Sequence, residues 1–243
     1  MDSSAGPDWL REAGIAIRDE AVRFLVTVLQ CSRHPGRFAA AWFAGETQAP
    51  NPIGYVSTAL AVTAACTSMT GAMIGRSSDD GLWASLAAAT LPYAYYALLG
   101  VVCHGVLRLG GTTRPLRASL AIALYIGGGP GLLLTLVLDL DVLLYTAITG
   151  DAQVRHGFAE APPWAFTILL ALVMAASALF VTALASGLRA LHGRSGLRAA
   201  AAIVVAIAVS GWLVGALRAA FGFHLGVPYF AFHLGRPWFD LTY

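Results

Sequence analysis

Two histidines nine residues apart, His224 and His233, stand in a doubled Phe-His-Leu-Gly-x-Pro-aromatic-Phe unit, FHLGVPYF followed by FHLGRPWF. Imidazole is a ligand for zinc or copper, so the pair is a candidate metal site. Gly226, Pro228, Gly235 and Pro237 exclude one helix running through both units, so two turns each present one histidine. Two histidines leave either metal short of ligands unless Asp139, Asp141, Asp240 or a partner supplies the rest. The plainer reading of the same stretch is an aromatic cap. Residues 221 to 243 hold eight of the chain's twenty-five aromatics, a concentration typical of a membrane interface. Phe223, Tyr229, Phe232 and Trp238 are then the side chains on which a partner docks.

Asp139 and Asp141, in LVLDLDVLLY, are the next candidates, because a carboxylate within a bilayer is a functional hypothesis by default. Counted from Ser119 at about 1.5 Å per residue, they fall about 30 Å along their segment, at its outer interface. A solvated or capping role there competes with a proton or cation entry site. His104 precedes Arg108 by four residues, and His192 lies near Arg194. With Arg108, Arg114, Arg117, Arg194 and Arg198 these histidines make a candidate lipid-headgroup site, against the simpler role of interfacial hydrogen bonding. The chain has no His-Glu-x-x-His, Gly-x-Ser-x-Gly, P-loop or Cys-x-x-Cys motif, and it reads as no enzyme and as needing no cofactor. Cys31, Cys66 and Cys103 have neither knuckle nor disulfide-framework spacing.

The elements that position these groups follow from composition. With 58% apolar and 12% charged residues, the chain cannot cover itself with a soluble surface. Uncharged apolar runs at about residues 55 to 74, 82 to 107, 118 to 138, 164 to 188 and 199 to 217 each approach or exceed the ~20 residues that cross a bilayer as a helix. The expected fold is all-α, a polytopic bundle of five transmembrane helices. Pro92 interrupts the second run, and Gly127-Gly-Gly-Pro130-Gly131 the third; both breaks count to near the midplane. Broken helices free backbone groups for ligands only where protein or water covers them, so Thr90, Tyr93, Tyr96, Tyr125, Gly127 and Pro130 form a candidate midplane binding site. Alternatively the breaks serve packing, as do Gly71-Ala-Met-Ile-Gly75 and Gly211-Trp-Leu-Val-Gly215.

Before the spans, Asp8 caps an expected helix to about Gln30 whose stripe of Leu10, Ala13, Ile17, Ala21, Phe24 and Val28 recurs at helical spacing. This amphipathic helix is expected to lie in the membrane surface or against the bundle. A connector follows, in which Pro35, Gly36, Pro50 and Pro52 interrupt helix and Trp42, Phe43 and Tyr55 sit at headgroup level. All fifteen basic residues are arginine, which with the richness in Ala, Gly and Leu suits a GC-rich bacterial gene. Most cluster in the N-terminal segment and the second and fourth loops, so the positive-inside rule places the N-terminus in the cytoplasm and the tail outside. The first thirty residues lack the basic tip and apolar core of a signal peptide.

Several motifs stand in order along the chain: Pro35-x-x-Phe38 before Gly45, Pro52-Ile-Gly-Tyr55, His104-Gly-Val-Leu-Arg-Leu-Gly-Gly111, Leu116-Arg-Ala-Ser-Leu, Tyr125 before Pro130, and Gly187-Leu-Arg-Ala-Leu-His192-Gly. On these motifs, over about residues 30 to 217, the chain resembles the Yip-domain family, five-span membrane proteins named for interaction with Ypt/Rab GTPases, in its bacterial branch. The resemblance implies a five-helix bundle with a cytoplasmic N-terminus. The family's Asp-Leu-Tyr-Gly-Pro signature is missing from this sequence, so GTPase binding is not carried over. The expected organisation is a leader and interfacial helix over 1–32, a membrane domain over 33–220 and an extracytoplasmic tail over 221–243. The expected function is a noncatalytic scaffold or accessory subunit of the bacterial inner membrane, partnered by the bilayer and other membrane subunits and not by nucleic acid. The alternatives are a small transporter or channel using the midplane breaks, a metal- or haem-holding subunit using the tail histidines, and a lipid-modifying enzyme without a recognisable motif.

Overall fold

The computed structural model describes residues 8–73, 81–150 and 162–221. Within them the chain is all-helical, with eight helices: α1 Asp8–Arg33, α2 Pro35–Ala44, α3 Pro52–Met73, α4 Gly81–Leu109, α5 Leu116–Gly128, α6 Pro130–Thr149, α7 Pro163–His192 and α8 Gly196–Phe221. Among the described residues four helical stretches are long and apolar enough to cross a membrane: Pro52–Met73, Leu116–Thr149, Pro163–His192 and Gly196–Leu213.

The helices begin and end where backbone chemistry directs. Pro35 opens α2 at its first turn, where a missing N–H costs nothing, and Gly45 closes it in the left-handed region at φ 76°, its N–H bonding back to the α2 carbonyls. The connector thus contains a helix that its prolines conceal. Pro92 does not end α4, which runs through it. One lost hydrogen bond is tolerated in an apolar bundle when neighbours cover the freed carbonyl. The real break lies between α5 and α6, where Gly129 takes φ −107° and ψ −94° and Pro130 has no N–H to continue the ladder.

α5 is the centre of the bundle. Nine of its thirteen residues are buried, Ser119, Ile122, Tyr125 and Ile126 completely, as expected of a helix apolar on every side. It packs on α3, α4 and α7 and touches α1, α2 and α6. Close contacts give the directions. α4 descends as α5 and α6 rise, because Gly100 meets Ala123 and Tyr96 meets Gly127 and Gly131. α7 is also antiparallel to α5, since Gly187 meets Ile122 while His192 reaches Ser119. α3 runs parallel to α6, with Gly128 against Tyr55 and Ala59 and Thr67 bonded to Asp139. The break at Gly129 therefore stands level with the first two turns of α3.

α1 joins this core only near its end. Phe24, Thr27 and Cys31 are buried, whereas Ile17 is 70% and Leu25 58% exposed. Of the apolar stripe read from the sequence, the bundle covers only the C-terminal part.

Candidate functional site

Tyrosines fill the expected midplane site. Gly127 and Gly131 lie one turn apart across the break, and the ring of Tyr96 rests in the space their missing side chains leave. A Cβ on Gly127 would come within 2.4 Å of that ring, and one on Gly131 within 2.8 Å. The Tyr96 hydroxyl donates to the Gly131 carbonyl at 3.4 Å, and its ring stands 5.8 Å from Tyr93 and 4.9 Å from Phe180. On the other side of α5, Tyr125 packs among Phe38, Trp42 and Tyr55, with ring centroids 5.0–5.8 Å away, and its hydroxyl donates to the Pro50 carbonyl. Tyr93 shares a 2.9 Å hydrogen bond with Thr63. Of the six candidate residues, the fold thus joins Tyr93, Tyr96 and Gly127 in one cluster and sets Pro130 beside them; Tyr125 belongs to a second cluster, and Thr90 is exposed. Tyr55, expected at headgroup level, is fully buried against Phe24 and Tyr125. Its hydroxyl has no hydrogen-bond partner among the described residues.

A second constellation lies at the arginine-rich end and joins residues far apart in sequence. His104 Nδ1 is 3.0 Å from Ser119 Oγ, Ser119 Oγ is 2.9 Å from His192 Nε2, and His192 Nδ1 is 2.7 Å from Thr112 Oγ1. All four side chains are buried. Serine has one hydroxyl proton, so at least one histidine must donate to Ser119, and the other is free to accept from it. With neutral rings, His192 accepts from Thr112 when it donates to Ser119, and the order reverses along the whole chain when the Ser119 proton turns. A serine beside histidine is the arrangement of an activated nucleophile. Here the oxygen is wholly enclosed and satisfied on both sides, and it fastens α4, α5 and α7 together. Sequence reasoning singled out the two histidines but gave no role to Thr112 or to Ser119, which it read within Leu116-Arg-Ala-Ser-Leu.

Around this network the two short turns α4–α5 and α7–α8 are pinned side by side. Arg114 Nε donates to the Leu191 carbonyl at 3.1 Å, and its guanidinium lies 4.2 Å above the ring of Phe43, a cation–π contact. Arg194 Nη2 approaches Gly111, which is in the left-handed region at φ 83°. Arg194 Nε is shielded and has no hydrogen-bond partner among the described residues. Arg108, Arg117 and Arg198 are exposed. The candidate headgroup residues therefore do gather at one end of the bundle.

The helix that carries the aspartates extends past the apolar run in which they were read. α6 continues to Thr149, so both lie within it. Asp139 accepts from Thr67 at 3.1 Å. Asp141 is completely buried, and neither of its oxygens has a hydrogen-bond partner among the described residues. A capping role is thereby corrected for both and a solvated role for Asp141, whereas Asp139 is half-buried. Tyr145, one turn on, packs with Ala165 and Leu169 of α7. Among the described residues no three His, Cys, Asp or Glu side chains gather as a metal would require. The tail candidates Phe223, His224, Tyr229, Phe232, His233 and Trp238 lie outside the described residues. No family model matches the chain, and neither a curated protein nor a solved structure matches it.

Proposed function

We propose that the chain is a multi-pass protein of the bacterial inner membrane with five spanning units, α3, α4, the broken pair α5–α6, α7 and α8. It serves as a noncatalytic scaffold or accessory subunit that packs against partner membrane proteins. The observation that carries this reading is the filled break. Where a transporter would keep open backbone and polar side chains for cargo, Tyr96 is wedged between Gly127 and Gly131, and Tyr125 is tied to Pro50. In lipid, where neighbouring helices gain little from the hydrophobic effect, such close packing and interhelical hydrogen bonds are what hold a bundle together.

The Yip-like resemblance is proposed alongside it. The residues that carry it meet in space: Phe38 on Tyr125, Tyr55 on Tyr125, Gly187 near Ile122 and Pro35, and His104 with His192 through Ser119. Gathering of the arginines at one end supports a cytoplasmic N-terminus with the tail outside. α1 adds an amphipathic apron whose exposed Ile17, Leu25 and Leu29 suit lipid or a partner helix.

Purification of the full chain in mild detergent tests the reading: a membrane protein recovered with it in fixed ratio supports it, and a chain that is always alone contradicts it. A second reading, a small proton- or cation-coupled transporter, is favoured by Asp141, since a carboxylate buried without a partner is costly unless it has work to do. Substrate-dependent flux in liposomes that Asp141→Asn abolishes is the result that would put this second reading first.

A further inference from the structure

We infer that the paired turns at the arginine-rich end form a docking site for the phosphate headgroup of an anionic membrane lipid. This inference rests on the membrane reading above. Arg108, Arg114, Arg117, Arg189, Arg194 and Arg198 crowd the ends of α4, α5, α7 and α8. None of them has an ion-pair partner among the described residues, whose two ion pairs both lie within α1, Arg18–Asp19 and Arg23–Glu20. Charge of one sign concentrated on two short turns repels itself unless an anion neutralises it.

Two of these arginines are held ready. Arg114 is fixed by the Leu191 carbonyl through Nε and by the Phe43 ring beneath it, which leaves its terminal nitrogens for a phosphate; guanidinium donors suit phosphate oxygens in pairs. Arg194 lies along Gly111 with Nε shielded and without a partner. The buried Thr112–His192–Ser119 chain locks the two turns at one spacing, so the two guanidinium groups keep a fixed relation. At the first turn of α5, Pro115 gives no side-chain cap, so backbone N–H groups add to the positive field. Of the helices these turns join, α5 (with α6), α7 and α8 are long and apolar enough to lie in a bilayer, which puts the site at headgroup depth and makes lipid, rather than a soluble anion, the occupant.

The test is native mass spectrometry of the full chain released from bilayers that hold phosphatidylglycerol and phosphatidylcholine in equal amounts. The wild type is expected to retain phosphatidylglycerol preferentially. R114A/R194A is expected to lose about twenty-five-fold of that preference, taking about fivefold for each arginine at a membrane surface. R18A/R23A, on the ion-paired helix α1, is expected to keep it, and millimolar inorganic phosphate is expected not to displace the lipid. Should the alanine pair not fold, R114K/R194K preserves charge without the guanidinium fork and is expected to fall between wild type and R18A/R23A on one side and full loss on the other. Equal retention of the two lipids by the wild type, unchanged preference in R114A/R194A (or in R114K/R194K where the alanine pair does not fold), or displacement by inorganic phosphate would overturn the inference. Release of the chain from membranes by alkaline carbonate would instead contradict the membrane reading beneath it, a separate outcome.

Discussion

Among the described glycines, Gly127 makes the most demanding contact, since a single methyl there would sit 2.4 Å from the ring of Tyr96. Gly127→Ala must displace Tyr96 or spread α4 from α5, and overpacking of this kind costs about 1–3 kcal/mol. A lower melting temperature in detergent is expected, with Tyr96→Ala at least as damaging because it opens a cavity worth about 3–5 kcal/mol. Ser119 is a different kind of tie. Ser119→Ala leaves two imidazole nitrogens facing a methyl group, and a buried polar group without a partner costs about 1–3 kcal/mol. Thermal unfolding should register that loss, and wild-type stability in the variant would mean that the network is not a fastening. Asp141 runs the opposite way. Its carboxyl already lacks partners among the described residues, so Asp141→Asn is expected to raise stability by about 1 kcal/mol, or about 2–4 °C in melting temperature; a fall would reveal a stabilising interaction of the carboxylate.

Among the elements, α1 and its stripe were legible in the sequence, because apolar residues at helical spacing record a face directly. How far the bundle covers that face was not, and the boundary near Phe24 comes from packing. Removal of residues 1–20 takes away only the part of α1 that lies before its buried turns, and the shortened chain is expected to remain monodisperse. Removal through Cys31 also takes Phe24 from Tyr55 and is expected to cause aggregation, which size-exclusion chromatography distinguishes. α2 was written in Pro35 and Gly45 but hidden by the reputation of proline as a breaker. The break at Gly129 was readable from three glycines and a proline, whereas the length of α6 was not. Hydropathy stops at Asp139 because it scores a carboxylate as surface, and burial of Asp141 is a property of the packed bundle around α6. The same limit hid the role of Ser119: seventy-three residues separate it from His192, and the motif Leu116-Arg-Ala-Ser-Leu that contains it says nothing of the histidines it will meet.

At the scale of the whole molecule, polar groups divide by depth along the bundle. Hydrogen-bonded histidines, serine and threonine fasten the arginine-rich end, tyrosines seal the break, and the aspartates sit farther along α6, beyond the sealed break. A chain arranged in this way has its interior committed to holding itself together, which leaves its exposed apolar helix faces and its charged end for contact with other components. The most direct measurement of that claim combines recovery of the full chain from membranes in mild detergent with a flux assay on the same preparation in liposomes. A membrane protein partner in constant ratio, with no substrate-dependent flux, is the predicted result. A chain recovered alone, carrying flux that Tyr93→Ala or Tyr125→Ala abolishes, would contradict it.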